Sequence, residues 1–407
     1  MHRTFLNRHF AEVAFRVLVL LTVVTSLMAC REPSVAVKVD EEPPEELRAV
    51  PEPEELAQVP DLSAQVELYR AAMPRFQLAL AAGSIGYLYA GRGNDPSLPL
   101  PERIRQRFSA IPNDPDPDSL VRNSHYWISN ENAHYVWNKP IADIGGVFVG
   151  VGTDQVYMLA AWSKAVIIVP LDFDKAITNL HWAYGVAFSL ADNPDDFRKL
   201  FGDAQKEKML DAIKAAYPER AKVISKAYES GRAHVNNRLR AVANKYNKLG
   251  IATFVNDQAQ FDYIKMLWAN NRVFPVCGDL TADSTMLDLA AALRDTGMQL
   301  GVLYLSNAEH YFEFVPSYRR NIIAQPFAEN GVALRTRQMT FLGVPEDGDY
   351  HYNVHPGANF QAWMKNNRIQ DQYKLLRLKT DTEVKGLSVI DQEASISDPP
   401  PEIAPMP

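Results

Sequence analysis

Four unbroken apolar runs, each of strand length and each followed by polar residues, constrain this chain more than any other feature. They are Gly146-Val147-Phe148-Val149-Gly150-Val151, Ala165-Val166-Ile167-Ile168-Val169, Val273-Phe274-Pro275-Val276-Cys277 and Gly301-Val302-Leu303-Tyr304-Leu305. A strand without polar alternation is covered on both faces, the condition of a parallel sheet within an α/β fold. Between the third and fourth runs, Met286, Leu287, Leu289, Ala290 and Leu293 recur at helical spacing and Gly297 supplies a stop. Strand, helix and strand in that order predict a βαβ crossover.

The stretch between the second and third runs is far longer than a crossover requires. Ala204 to Ala216 and Ala221 to Leu249 are rich in Ala, Lys, Arg and Glu, which predicts a helical insertion over about residues 175–270. Its expected place is over the carboxyl edge of the sheet. The folding body is expected to span 63–380, with no internal repeat.

The ends of the chain have a different character. Arg3, Arg8 and Arg16 accompany an apolar run from Val17 to Leu27, and Ala29 directly precedes Cys30. That run is shorter than a bilayer-spanning helix and reads as a bacterial lipoprotein signal over 1–29. Cleavage before Cys30 and lipidation of its thiol are expected, making a membrane the partner through that lipid. Arg31, where an acid would retain the protein in the inner membrane, favours the outer membrane of a bacterial envelope.

Residues 31–60 hold six prolines and many acids. Such a segment buries too little apolar surface to offset its ordering entropy, so 30–62 is read as the acylated cysteine and a linker. The region 381–407, with Pro399-Pro400-Pro401, is read as a disordered tail. Net charge is −7, and −9 without residues 1–29. A sum this acidic argues against nucleic acid and against electrostatic adhesion to anionic lipid. With Cys30 lipidated, Cys277 has no disulfide partner and is expected to be a buried small hydrophobe.

Polar residues gather at the carboxyl ends of the four runs. Gly150 and Gly152 end the first, and Asp154 and Gln155 open a helix; a glycine pair there lets backbone approach a ligand, or serves close packing. Asp172 lies twenty residues beyond Gly152, where an acid can accept from a ribose diol, and Asp279 ends the third run. Asp172 or Asp174, and equally Asp279, could instead cap the helices that follow; at least one of Asp172 and Asp279 is expected to do so. Asn307 and Glu309 end the fourth run, and Glu131 is the candidate general base. His351 and His355 have metal-ligand types but sit between Gly348 and Pro356, where a helix cannot present both, so no metal is assigned. Tyr126, Trp127, Tyr135, Trp137 and Trp162 could line a pocket, although such rings are more often core.

The order of these pieces resembles the class I S-adenosylmethionine-dependent methyltransferase fold, a Rossmann-like arrangement. Ser129-Asn130-Glu131, Gly145-Gly146-Val147, Pro275-Val276-Cys277-Gly278-Asp279 and Tyr304-Leu305-Ser306-Asn307-Ala308-Glu309 are similar to an uncharacterised bacterial lipoprotein family of methyltransferase-like proteins that includes a leptospiral surface lipoprotein. The similarity covers about residues 120–340. It implies a glycine loop at Gly150 and Gly152, a ribose acid at Asp172, an adenine-flanking acid at Asp279, and S-adenosylmethionine as cofactor. Two departures weigh against methyl transfer: Phe148 stands where the methyltransferase loop usually has an acid, and Asp154 where it usually has a third glycine. Such a cofactor is also cytosolic, whereas the signal directs this chain outward. The expectation is a non-catalytic module that binds a small nucleotide-like ligand or serves the envelope; the alternative is a methyltransferase or other transferase.

Overall fold

The computed structural model describes residues 93–394. The signal, Cys30, the 30–62 linker and the last part of the tail lie outside the described residues. Within them the chain is mixed α/β, built on one eight-stranded, mostly parallel sheet. The strands are β1 Val147–Gly150, β2 Ile167–Asp172, β3 Val276–Cys277, β4 Leu300–Ser306, β5 Phe327–Arg337, β6 His351–Pro356, β7 Thr380–Asp381 and β8 Leu387–Val389. Their spatial order is β3-β2-β1-β4-β5-β6-β8-β7. β1 to β5 are mutually parallel, and β6 turns antiparallel against β5.

The continuous apolar runs follow from two-sided cover. Phe148, Ile168, Tyr304 and Leu334 point into one core, while Val149, Val169, Leu303 and Ala333 point into the other. Helices α1 Glu102–Ser109, α8 Thr285–Thr296, α9 Pro316–Ile323, α10 Gly357–Met364 and α11 Gln372–Leu376 contribute to the second core. Helices α2 Asp154–Trp162, α3 Lys175–Leu190, α4 Pro194–Lys199, α5 Lys206–Ala216, α6 Ala221–Leu249 and α7 Gln258–Ala269 contribute to the first. The pleat segregates the faces, so each strand needs apolar residues at every position.

Two expectations change. The insertion, α3 to α7, packs through Leu180, Tyr184, Tyr228, Leu239 and Phe261 into the core on one face of the sheet; it does not cap the carboxyl edge. Its aromatic content needs a broad apolar surface, which a sheet face offers and a strand edge does not. The body also does not end at 380. β8 pairs in parallel with β6, and Leu387 and Ile390 are buried, so 381–394 are not a disordered tail. Three residues of strand are too few to register as periodicity.

Candidate functional site

Strand order reverses between β1 and β4, and at such a point the carboxyl ends diverge and leave a crevice. A cavity of about 320 Å³ occupies it. Gly152 and Gln155 after β1, Asp172 at the end of β2 with Asp174 beyond it, Gly278 and Asp279 after β3, and Ser306 at the end of β4 with Asn307 beyond it line one side. Leu120, Val121, Ser124, Tyr126 and Ile128 line another. Arg122 and Asn123 adopt left-handed φ values of 55° and 50° there, which turns this segment sharply.

Of the sequence candidates, Gly152, Gln155, Asp172, Asp279 and Asn307 reach the cavity; Gly150, Asp154, Glu131 and Glu309 do not. Gly150 serves packing, because a Cβ on it would lie 2.6 Å from the Phe148 ring. Asp154 is buried and turned toward α6, where Arg238 Nε donates to it at 3.1 Å. Its carboxylate, a candidate for ligand binding, therefore does not enter the ligand space. The Gln155 carboxamide takes that place, its Nε2 only 2.1 Å from where a Cβ of Gly152 would be. Gly152, at φ 89°, holds a backbone conformation that residues with a side chain rarely adopt.

Asp172 ties the loop together and caps nothing. One carboxylate oxygen accepts from Gly152 N at 3.1 Å and the other from Asp174 N at 2.9 Å. Burial pushes this carboxyl up to about 7, and the charge of Asp174 adds to the rise against the two N–H bonds. Asp174 is the N-cap of α3, accepting from Ala176 N at 2.9 Å, and its second oxygen meets His125 Nδ1 at 2.7 Å. Asp279 closes a local turn, accepting from both Thr281 N and Thr281 Oγ1 at 2.7 Å. Neither Asp172 nor Asp279 is the cap expected of one of them. The start of α8 is instead capped from a distance by Asp114, which accepts from Thr285 N at 3.2 Å and from Ser284 Oγ, and also receives Asp279 N at 2.9 Å.

Glu131 lies wholly buried beneath the cavity, its two oxygens filled by four donors. Tyr304 OH donates at 2.7 Å and His134 Nε2 lies at 2.9 Å, while the hydroxyls of Ser306 and Thr336 donate to the other oxygen. Burial alone would raise this carboxyl, but these partners, His134 foremost, hold it below its ordinary value. A lowered, saturated carboxylate is a poor general base. Glu309 is equally committed, to Tyr318 OH at 2.6 Å and Arg335 Nε at 2.7 Å.

The remaining candidates sit elsewhere. His351 and His355 lie on β6; His351 bonds Gly343 O and Ser388, and His355 bonds Arg335 and Asn359. Of the five aromatic residues only Tyr126 lines the cavity; Trp127 packs on Gly231, and Trp137 lies among Tyr304 and Tyr352. Cys277 is buried, with its thiol pushed up to about 11 by burial.

Sequence reasoning missed His181 and Asp114, and the backbone state and partner of Ser306. His181 Nε2 donates to Gly152 O at 2.8 Å while Tyr157 OH bonds its Nδ1 at 2.8 Å, and burial takes it down to about 4, so it stays neutral. On an apolar helical face it carried no signal. Ser306 holds φ 51° at the end of β4 with its hydroxyl bound to Glu131, a backbone state invisible in a sequence. No curated protein matches the chain. A family model described as a domain of unknown function (DUF7790) matches residues 126–391, the span that holds the sheet and most of the cavity wall, and the chain belongs to that family.

Proposed function

We propose that this protein is an extracytoplasmic lipoprotein, held to the bacterial envelope by lipid on Cys30, whose Rossmann-like, methyltransferase-type domain binds a small nucleotide-like ligand without transforming it. The observation that carries this reading is the division of the acids. Asp172 and Asp279 line the cavity, while Glu131 and Glu309, the candidates for chemistry, are saturated by buried donors. The strand order β3-β2-β1-β4-β5 is that of a dinucleotide-binding sheet, and a cavity near 300 Å³ is at the small end of ligand sites. Asp279 keeps its Oδ2 for a ligand donor, and both oxygens of Asp172 have lone pairs beyond their backbone bonds.

A second reading, an S-adenosylmethionine-dependent methyltransferase or other transferase, is favoured by Asp172 at the position of a ribose acid. The residues fit the nucleoside part of that cofactor, with Asp172 toward the ribose and Asp279 toward the base. The Gln155 carboxamide over Gly152 would have to swing aside for the remainder.

Calorimetry with S-adenosylmethionine, S-adenosylhomocysteine and adenosine separates the two. The binding-module reading expects S-adenosylmethionine affinity absent or weaker than about 100 µM, roughly −5.5 kcal/mol. At about pH 8, where Asp172 is ionised, adenosine-type ligands should weaken about tenfold to a hundredfold in Asp172→Ala and Asp279→Ala, the value of a charge-assisted hydrogen bond. Micromolar S-adenosylmethionine binding lost in both variants would favour the transferase. If none of the three ligands bound, the nucleotide-like assignment would fall.

A further inference from the structure

The acidic sum of the chain conceals a segregated charge. Helix α6, Ala221–Leu249, holds seven basic residues and a single acid, Glu229. Three of the seven are spent within the described residues: Arg232 on Asp203, Arg238 on Asp154 and Lys245 on Asp347. Glu229 is spent on Lys206. Lys222, Lys226, Arg240 and Lys248 are exposed and have no ion pair or hydrogen bond among the described residues.

Their spacing is what makes them a surface. At about 100° per residue the four fall within an arc of about 80°, opposite the arc of Ile224, Tyr228, Val235, Leu239 and Tyr246 that enters the core. The helix is about 43 Å long at 1.5 Å per residue. Ala233, Asn237 and Asn244 lie between the basic residues on the same exposed arc. Short side chains there leave the basic ones the longest on that arc. At its amino end a shallow groove between α5 and α6 is lined by Lys214, Lys222, Lys226 and Glu229; Lys214 pairs with Asp211 and Glu229 with Lys206, which leaves Lys222 and Lys226 as its unpaired cations, and Ser225 Oγ beside them has no hydrogen-bond partner.

We propose that the outer face of α6 is a docking surface for an anionic phospholipid bilayer, with the α5–α6 groove seating a headgroup phosphate. A row of unpaired cations along one helical arc is complementary in charge to a plane of phosphates, and each basic residue near such a surface favours binding about fivefold. Exposed Val223 adjoins Lys222 and supplies an apolar contact to the headgroup boundary. The stripe has no aromatic residue on which nucleic-acid bases would stack, which sets a bilayer ahead of a single strand. The proposal is independent of what the cavity binds.

The test is vesicle flotation with the chain from residue 30 onward carrying Cys30→Ser, which removes the lipidation site. Vesicles of phosphatidylcholine containing phosphatidylglycerol should retain the protein at low salt, at least about tenfold more than pure phosphatidylcholine, and release it as salt screens the charges. Combined Lys222→Glu, Lys226→Glu, Arg240→Glu and Lys248→Glu should abolish retention, with the melting temperature measured alongside. The milder Lys222→Gln and Lys226→Gln pair should lower it about tenfold or more. Reversal of four exposed lysines elsewhere, Lys139, Lys365, Lys374 and Lys385, should leave retention in place. Equal binding to neutral vesicles, no binding to anionic ones, an equal loss in the control set, or capture of duplex DNA in place of vesicles would each overturn the proposal.

Discussion

Asp172 carries two demands on one carboxylate: it holds the glycine loop by two N–H bonds, which favour the ion, in a place with little water, which disfavours it. Burial prevails. In the unfolded chain the group titrates near 3.8, so between there and about 7 the folded state keeps a proton that the unfolded state has released. Its contribution to stability is therefore fully present below about pH 4 and is lost as pH rises to about 7. Relative to Asp172→Asn, whose side chain does not titrate, the wild-type melting temperature should fall steadily over that window. A difference between the two proteins that stays constant with pH would show that Asp172 ionises normally. His181 supports the same loop from the other side; burial keeps its ring neutral until pH falls to about 4, and its own pH dependence, common to wild type and variant, cancels in the comparison.

At the level of elements, the short strand β8 has more structural weight than its length suggests. Ser388 receives Asn353 Nδ2 at its carbonyl and hydroxyl and meets His351 Nε2 at 2.7 Å, so β6 is tied to it by side chains as well as by backbone. Leu387 and Ile390 are buried in the two cores. Truncation after residue 380 should cost about 3 kcal/mol or more from these two side chains alone, read by chemical denaturation. Truncation after 394, which removes the proline-rich end, should leave the unfolding midpoint in place. Equal midpoints for the two truncations would show that β8 adds nothing to the sheet.

For the whole molecule, location and charge belong together. The described residues contain no helix long and apolar enough to cross a membrane; the two attachments proposed are the lipid on Cys30 and the basic face of α6. The two act over different ranges: acyl chains hold by apolar burial, which salt does not weaken, and the helix face holds by charge, which salt screens. Cys30→Ser in the full chain should abolish fatty-acid labelling and move the protein from the detergent phase to the aqueous phase at physiological salt. Undiminished labelling of the variant would exclude lipidation at Cys30.

Fold class was legible in the sequence because it depends on local pattern. Val147 to Val149 and Ile167 to Val169 have no polar alternation, and only cover on both faces explains that, so a parallel sheet could be read before any contact was known. Part of the cavity was legible for the same reason, since Gly152, Asp172, Asp279 and Asn307 each lie at the carboxyl end of a recognisable strand and a reversal of strand order opens a crevice there. The role of each carboxylate was not legible. Asp154 and Glu131 read like Asp172 along the chain, but Arg238 comes from 84 residues beyond Asp154, and Tyr304 and Thr336 come from 173 and 205 residues beyond Glu131. Whether an acid faces a ligand or is consumed in the core depends on partners distant in sequence, and only the tertiary structure brings those partners within hydrogen-bonding distance.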